Sequence, residues 1–186
     1  YNGLIWLDDA HALGIIGENG RGTYEHFGLK SANLFFGGTF SKAFGGFGGI
    51  IPGGKSFIEE IRSNQIQSGA TPVPSAAAAA SLTGMKLVQS NPQLRIKLWE
   101  NAGRLKAGLH KIGIETDDTN VPIAAWTLKT KFEMEKLQQE LLKKNIVIQF
   151  IQYVGAGDSG ALRVVVFSTH TNEQIDNLLD ELKRII

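Results

Sequence analysis

The sequence contains no cysteine, no excess of basic charge and no long hydrophobic run. Without cysteine, the chain has no disulfide bond, no thiolate metal site and no cysteine nucleophile. A formal net charge of +1 argues against a nucleic-acid or anionic-membrane surface, which needs a basic excess. No apolar stretch approaches the length of a membrane span, and no charged-then-apolar signal opens the chain. We therefore expect a cytoplasmic protein.

Glycine, in contrast, is abundant, with 22 residues in a chain of 186. This length is enough for one good hydrophobic core or two small ones. The composition and the pattern of predicted elements change near residue 112. This change predicts a glycine-rich α/β part over residues 1–112 and a small α+β unit over residues 113–186. The opening stretch "YNGLIWLDD" reads at once as a buried strand, so we expect the sequence to be part of a longer protein.

The first part shows apolar runs without alternation, which are typical of parallel strands covered on both faces. It also contains an alanine-rich segment that favours a helix. In the segment that follows, which begins at Pro92 and ends before Gly113, leucines recur at helical spacing. The predicted strands are 3–8, 33–39 and 48–53, and the predicted helices are 55–62, 75–88 and 92–112.

The second part predicts the order β-α-β-β-α. Its closing helix carries Thr171 and Gln174 at capping-box spacing, followed by an apolar stripe from Ile175 onward. The predicted strands are 121–128, 145–151 and 161–167, and the predicted helices are 131–144 and 169–186.

Chemically active side chains follow the first two strands. Asp8, Asp9 and His11 come directly after the first, and Lys42 follows the second within "GTFSKAFGGFGG". In open α/β sheets, ligands bind beyond the carboxyl ends of the strands, so we expect these groups to converge on one edge. The phenylalanines around Lys42 are expected to exclude water from it.

Three readings of this cluster differ in plausibility. A metal site made of Asp8, Asp9, His11 and His26 is disfavoured, because hard cations want several oxygen ligands and no competing ammonium. A Ser41–Lys42 dyad is disfavoured because adjacent residues of an extended segment point to opposite faces. A Schiff-base lysine facing an aldehyde cofactor, with a carboxylate against the ring nitrogen, accounts for every group.

Two features of the second part need separate interpretation. Arg163 interrupts the apolar run "ALRVVVF", and a buried arginine needs an anionic partner, either a protein carboxylate or a ligand's. Gly155, Gly157 and Gly160 satisfy the dinucleotide pattern G-x-G-x-x-G. That pattern requires a strand before it and a helix after it, whereas here a strand follows, so we set it aside.

The segments "LDDAHALGIIGENGRG" and "GTFSKAFGGFGG" together closely resemble the α-oxoamine synthases, and the resemblance extends to "ALRVVVFSTHTNEQID". These are fold-type I pyridoxal-phosphate enzymes that include 8-amino-7-oxononanoate synthase, glycine C-acetyltransferase, serine palmitoyltransferase and 5-aminolevulinate synthase. The resemblance implies an α/β aminotransferase-like fold, with part of the large domain followed by the small C-terminal domain. It also implies a homodimer with shared active sites.

The resemblance implies roles for individual residues. Lys42 corresponds to the Schiff-base lysine, Asp8 to the partner of the pyridine nitrogen, and His11 to the histidine that bonds the cofactor's phenolic oxygen. Thr39 corresponds to the phosphate-binding threonine, and Arg163 corresponds to the arginine that binds the amino-acid carboxylate.

The segment "SGATPVPSAAAAA" resembles the one that reaches the neighbouring subunit's cofactor phosphate, with Ala70 and Thr71 as the expected contacts. The implied activity is the decarboxylative condensation of an amino acid with an acyl-CoA. The alternatives are another fold-type I activity, such as an aldolase or aminotransferase, and a non-catalytic relic that keeps the fold and the dimer surface.

Overall fold

The computed structural model describes residues 3–152 and 157–186. The chain divides into two compact units, residues 1–95 (unit 1) and residues 96–186 (unit 2). The division falls within the long helix, most of which belongs to unit 2. The domain boundary near residue 112 remains a prediction.

Unit 1 contains a three-stranded sheet in the order β1–β2–β3. β1 and β2 are parallel as expected, with Asp8 opposite Gly37. β3 is antiparallel to β2, which contradicts the expectation of a third parallel strand. The reason is the short loop between β2 and β3, because a parallel crossover needs a dozen or more residues. The elements are β1 (Ile5–Asp8), α1 (Thr23–His26), β2 (Leu34–Thr39), β3 (Gly49–Ile50), α2 (Lys55–Ser63), a 3₁₀ turn (Gln65–Gln67) and α3 (Ser75–Ser90).

The sheet of unit 1 is only partly covered by the described residues. Phe57 of α2 packs on Phe35 of β2, with their ring centroids 4.7 Å apart. Ile5 and Trp6 of β1 nevertheless remain about half exposed. The prediction that β1 is covered on both faces is therefore wrong for the described part of the chain, because these side chains remain exposed there.

Unit 2 contains an antiparallel sheet in the order β4–β6–β5, which places β6 in the centre. Its element order confirms the predicted β-α-β-β-α pattern. The elements are α4 (Pro92–Lys111, which begins in unit 1), β4 (Ile123–Trp126), α5 (Lys131–Lys143), β5 (Gln149–Ile151), β6 (Ala161–Val165) and α6 (Asn172–Ile185).

One face of this sheet and the three helices enclose a hydrophobic core. Two of its helices begin with complete capping boxes, Thr130 with Glu133 and Thr171 with Gln174, and the second confirms a prediction. The largest fully buried hydrophobic side chains all belong to this core: Leu105, Leu109, Met134, Leu141, Leu162 and Leu182. Within the described residues, no helix combines the length and the apolar character needed to cross a bilayer.

Candidate active site

The carboxylate of Asp8 lies where β1 ends. It is exposed, and its Oδ1 accepts a hydrogen bond from the backbone N–H of Ala10 at 3.0 Å. Asp8 lines a cleft of about 520 Å³ together with Trp6, both neighbouring glycines of β2 and residues of β3. Gly37 has no side chain to fill this cleft, where a Cβ would lie 3.1 Å from Trp6 Cζ2.

Asp9 has a structural role. Its side chain is 1% exposed, and Oδ2 accepts a hydrogen bond from the backbone N–H of Thr23 at 2.9 Å. A Cβ at Gly22 would overlap this carboxylate, so glycine is required where the chain turns into α1. Asp8 and Asp9 are thus adjacent in sequence but have different roles. Asp8 faces the cleft, and Asp9 holds the loop before α1.

Close approaches at two glycines bring the loop that carries His11 against β2 and against the loop that carries Lys42. A Cβ at Gly14, whose φ is +83°, would lie 2.8 Å from Cβ of Ala43. A Cβ at Gly38 would lie 2.9 Å from Leu13 Cδ2. The approach of Gly14 to Ala43 shows that the segments following β1 and β2 meet, and the approach of Leu13 to Gly38 places the first of them against β2 itself. Sequence reasoning did not assign these glycines a role.

The loop between β2 and β3 presents Lys42. Thr39 Oγ1 donates to the carbonyl of Gly48 at 3.0 Å and accepts from the backbone N–H of Ser41 at 3.1 Å, which closes the base of the loop. Lys42 itself is exposed, and its amine has no hydrogen bond or ion pair among the described residues. The hydrogen bonds at the base of the loop therefore position the backbone of Lys42, whereas its amine has no such bond with the described residues.

The expected exclusion of water by the phenylalanines is not found in the described part of the chain. Phe47 is 60% exposed. The rings of Phe40 and Phe44 pack on each other with centroids 5.6 Å apart, and a Cβ on Gly14 would touch Phe44. Phe44 therefore secures the contact between the two loops and leaves Lys42 open to solvent.

Helix α3 supports the Lys42 loop through small residues. Ser81 is buried, and its Oγ accepts the backbone N–H of Phe47 at 3.1 Å and lies 2.8 Å from the carbonyl of Ala77. A Cβ on Gly46 would strike Ser81, and a Cβ on Gly84 would overlap the backbone of Phe44. Sequence reasoning missed these supports, although a glycine within a strong helix former was an available signal.

Two charged side chains hold the loop between β1 and α1. Glu25 accepts the backbone N–H groups of Asn19 and Arg21 and the side-chain amide of Asn19. Burial alone raises the pKa of the Glu25 carboxyl, but these hydrogen bonds outweigh it and leave that pKa below its ordinary value. Arg95 is 7% exposed and donates from Nη2 to the carbonyl of Glu18. No periodic pattern marked either residue.

Ala70 and Thr71 lie in the exposed segment between the 3₁₀ turn and α3. Their exposure is compatible with contacts beyond this chain, and their assigned role remains a prediction. Within the described residues, no group of three or more histidine, aspartate or glutamate side chains could hold a metal ion.

Arg163 lies at the centre of β6 in unit 2. The expectation that it is buried is wrong: Leu162 and Val164 are buried on the core face, whereas Arg163 is half-buried on the opposite face, because side chains alternate along a strand. Its Nη1 donates to Oε1 of Gln149 at 3.4 Å. Among the described residues, no carboxylate lies within ion-pairing distance of its guanidinium.

The dinucleotide pattern lies partly outside the described residues, since Gly155 is not among them. Gly157 and Gly160 form a turn, with the N–H of Gly160 donating to the carbonyl of Gly157 at 3.2 Å. β6 begins directly after this turn, which supports setting the pattern aside.

Comparison with known proteins identifies the family. Residues 1–182 match the sequence profile of aminotransferase class I and II. The chain belongs to this family. It is 32% identical to 8-amino-7-oxononanoate synthase from Thermosipho melanesiensis, over 100% of this chain and 48% of the relative. It is 34% identical to the enzyme of that name from Thioalkalivibrio sulfidiphilus, over 96% of this chain and 47% of the relative.

A solved structure of a variant serine palmitoyltransferase from S. paucimobilis, with a bound PLP–myriocin aldimine, superimposes with a TM-score of 0.90 at 26% identity. The match covers 99% of this chain and 47% of that chain. The resemblance to α-oxoamine synthases and the fold-type I architecture are thus confirmed. The chain spans about half the length of the relatives it matches.

Proposed function

We propose that the intact protein is a pyridoxal-phosphate-dependent acyltransferase that condenses an amino acid with an acyl-CoA. One carbon–carbon bond forms between the amino-acid Cα and the acyl carbonyl carbon, the thioester bond breaks to release CoA, and the carboxylate leaves as CO2. The observation that carries the proposal is the meeting of the loops after β1 and β2 through Gly14 and Ala43, in a chain with these relatives.

The residues at this edge fit pyridoxal phosphate chemically. Asp8 offers an accessible carboxylate beside an open cleft, which suits a protonated ring nitrogen. Lys42 offers an amine without a competing partner among the described residues. The glycine backbone around Thr39 suits a phosphate, because amides approach closely where side chains are absent. The Thr39 hydroxyl would have to turn its proton away from the Gly48 carbonyl to donate to that phosphate. When bound, this cofactor supplies an electron sink for charge that develops at Cα.

The side chains of this protein would then divide the work. Arg163 binds and orients the amino-acid carboxylate, since a planar guanidinium engages a carboxylate through two bonds. Lys42 Nζ removes the proton from Cα as general base. The carboxylate of Asp8 would hold the ring nitrogen, and His11 would bond the phenolic oxygen of the cofactor.

A homodimer in the cytoplasm is part of the same proposal. Ala70 and Thr71 are exposed on a segment that follows Ile66, whose side chain is 87% exposed, and Val73 nearby is also exposed. Exposed apolar side chains beside this segment fit a contact with a neighbouring subunit. Sedimentation of the intact protein and cell fractionation test the dimer and the compartment, respectively.

The decisive experiment uses the intact protein with added pyridoxal phosphate. We expect borohydride reduction to leave a pyridoxyl group on Lys42, identified by peptide mass, and Lys42→Ala to remove it. We also expect acyl-CoA to release CoA thiol only when an amino acid is present. Labelling of Lys42 without thiol release would favour an aldolase or aminotransferase, and the absence of labelling would overturn the proposal.

A further inference from the structure

The outer face of the unit 2 sheet carries Arg163 between two uncharged neighbours. In the register of the sheet, Arg163 lies opposite Ala125 of β4 on one side and opposite Gln149 of β5 on the other. Directly opposed residues of antiparallel strands point to the same face, so these three side chains form one row across the sheet. The row contains a cation, a methyl group and an amide.

The contact between Arg163 and Gln149 has a specific chemistry. Nη1 donates to Oε1 of Gln149 at 3.4 Å, and this is the hydrogen bond that the guanidinium makes within the described residues. An amide oxygen accepts a hydrogen bond as a carboxylate would, but it carries no net charge. Gln149 therefore directs the guanidinium and leaves its positive charge uncompensated.

Ala125, on the other side of Arg163, also leaves the charge of the guanidinium unpaired. It is exposed and presents only a methyl group, so it neither pairs with the guanidinium nor covers it. The remaining N–H groups of the half-buried guanidinium make no further hydrogen bond with the described residues. A planar fork with unused donors and an unneutralised charge is suited to bind a carboxylate in two bonds.

We propose that Gln149 is a positioning residue for Arg163 and that its neutrality sets the affinity for a substrate carboxylate. This inference rests on the proposed function, in which Arg163 binds the carboxylate of the amino acid. A glutamate at position 149 would have the same length but would form an ion pair with Arg163. The substrate carboxylate would then have to compete with a permanently tethered one.

The test compares variants of the intact protein loaded with pyridoxal phosphate. Gln149→Glu adds the competing charge, Gln149→Leu removes the acceptor, and Gln139→Glu makes the same charge change at an exposed site on α5. Binding of glycine, L-alanine and L-serine is measured by titration calorimetry, beside their carboxamides, which lack the negative charge. The KM values for amino acid and acyl-CoA are measured separately.

We expect Gln149→Glu to weaken binding of the amino acids by about tenfold or more, as an ion pair at this distance implies in a partly exposed site. The carboxamides should bind equally to both proteins, and added salt should shrink the difference because it screens the pair. Gln149→Leu should raise the amino-acid KM by about fivefold, the loss of one hydrogen bond, with little change in kcat or in the acyl-CoA KM.

Three results would overturn the inference. Gln139→Glu could weaken binding as much as Gln149→Glu, the carboxamides could lose affinity in parallel, or both Gln149 variants could bind like the parent. If Arg163→Ala weakens amino-acid binding while the Gln149 variants do not, the inference alone fails. If Arg163→Ala also leaves binding unchanged, the carboxylate role in the proposed function fails with it.

Discussion

The two units of this chain differ in what holds them together. Unit 2 encloses a core of buried leucine, isoleucine, valine, methionine and tryptophan side chains between a three-stranded sheet and three helices. In unit 1, by contrast, only Ala12 and Ile15 are buried hydrophobic residues among residues 3–95 that the structure describes. Leu4, Trp6 and Phe47 of unit 1 remain more than half exposed.

The difference in buried apolar surface follows from how the segments of each unit contact one another. Most of the 22 glycines lie in unit 1, and several of them permit contacts that any side chain would block, as at Gly14, Gly22 and Gly84. Such contacts bring loops together but bury little apolar surface. The region that gathers the reactive groups is therefore built from close backbone approaches, and the region that carries Arg163 is built from side-chain packing.

The largest expected effect is a difference in cooperative unfolding between the two units when each is expressed alone. We expect residues 92–186, which include the whole of α4, to unfold cooperatively in urea when expressed alone, because their core is contained within them. Residues 1–91 alone should give no cooperative transition, since they bury too little apolar surface. Circular dichroism during urea titration measures both, and cooperative unfolding of residues 1–91 would contradict the comparison.

A single core truncation should sharpen the same contrast. Leu162→Ala removes a fully buried side chain in the central strand of unit 2 and should lower the free energy of unfolding by about 2–5 kcal/mol. Ile50→Ala, in the half-buried strand β3 of unit 1, should cost about 1 kcal/mol or less, because less apolar surface is lost. Equal costs in chemical denaturation would show that unit 1 has a comparable core.

Two helical glycines provide a matched pair of intermediate effects. Gly84→Ala places a methyl group against the backbone of Phe44, so it should destabilise the protein by about 1–3 kcal/mol and shift the Lys42 loop. Gly103→Ala meets nothing within 4 Å and should stabilise α4 by up to about 1 kcal/mol.

Thermal unfolding measures both glycine variants. Borohydride labelling of Lys42 by pyridoxal phosphate should fall for Gly84→Ala and be unchanged for Gly103→Ala. A stabilised Gly84→Ala protein with normal labelling would contradict the support of this loop by α3.

The smallest expected effect depends on pH. The pKa of Glu25 is below its ordinary value in the folded protein, so its contribution to stability is present above the ordinary glutamate pKa. It is lost as the pH falls through the lowered folded-state pKa. Glu25→Gln should therefore cost about 1 kcal/mol near pH 7 and progressively less in acid.

Urea titrations of parent and variant at several pH values test this dependence. Glu115→Gln, an exposed glutamate of unit 2, serves as control. A Glu25→Gln penalty that stays constant from neutral to acidic pH would exclude the ionised carboxylate as its source.

The sequence predicted unit 2 better than unit 1. The helical stripes, the capping box at Thr171 and the order of elements along unit 2 were all recovered, because buried side chains repeat at the period of their element. In unit 1 the apolar runs located the strands, but the direction of β3 and the exposure of Trp6 were not foreseen. An apolar run has the same appearance whether or not another segment covers it.

The sequence indicated candidate reactive residues, whose roles remain proposals, but it did not indicate the residues that support them. Asp8 ends β1, and Lys42 follows the end of β2 by three residues; these positions alone indicated a shared sheet edge. Ser81 and Arg95 act across long stretches of sequence, so no local pattern marks them. Arg163 was expected to be buried because its neighbours are apolar, although the alternation of the strand turns it to the opposite face.

The order of elements, the helix ends and the residue types capable of this chemistry were determined by the sequence itself, because local backbone preference and apolar periodicity act over a few residues. Which carboxylate faces the cleft, which glycines bring the loops into contact and which neighbour directs Arg163 were decided by the tertiary structure. These features depend on distances between segments far apart in the chain. Such distances are set only when strands pair and helices pack.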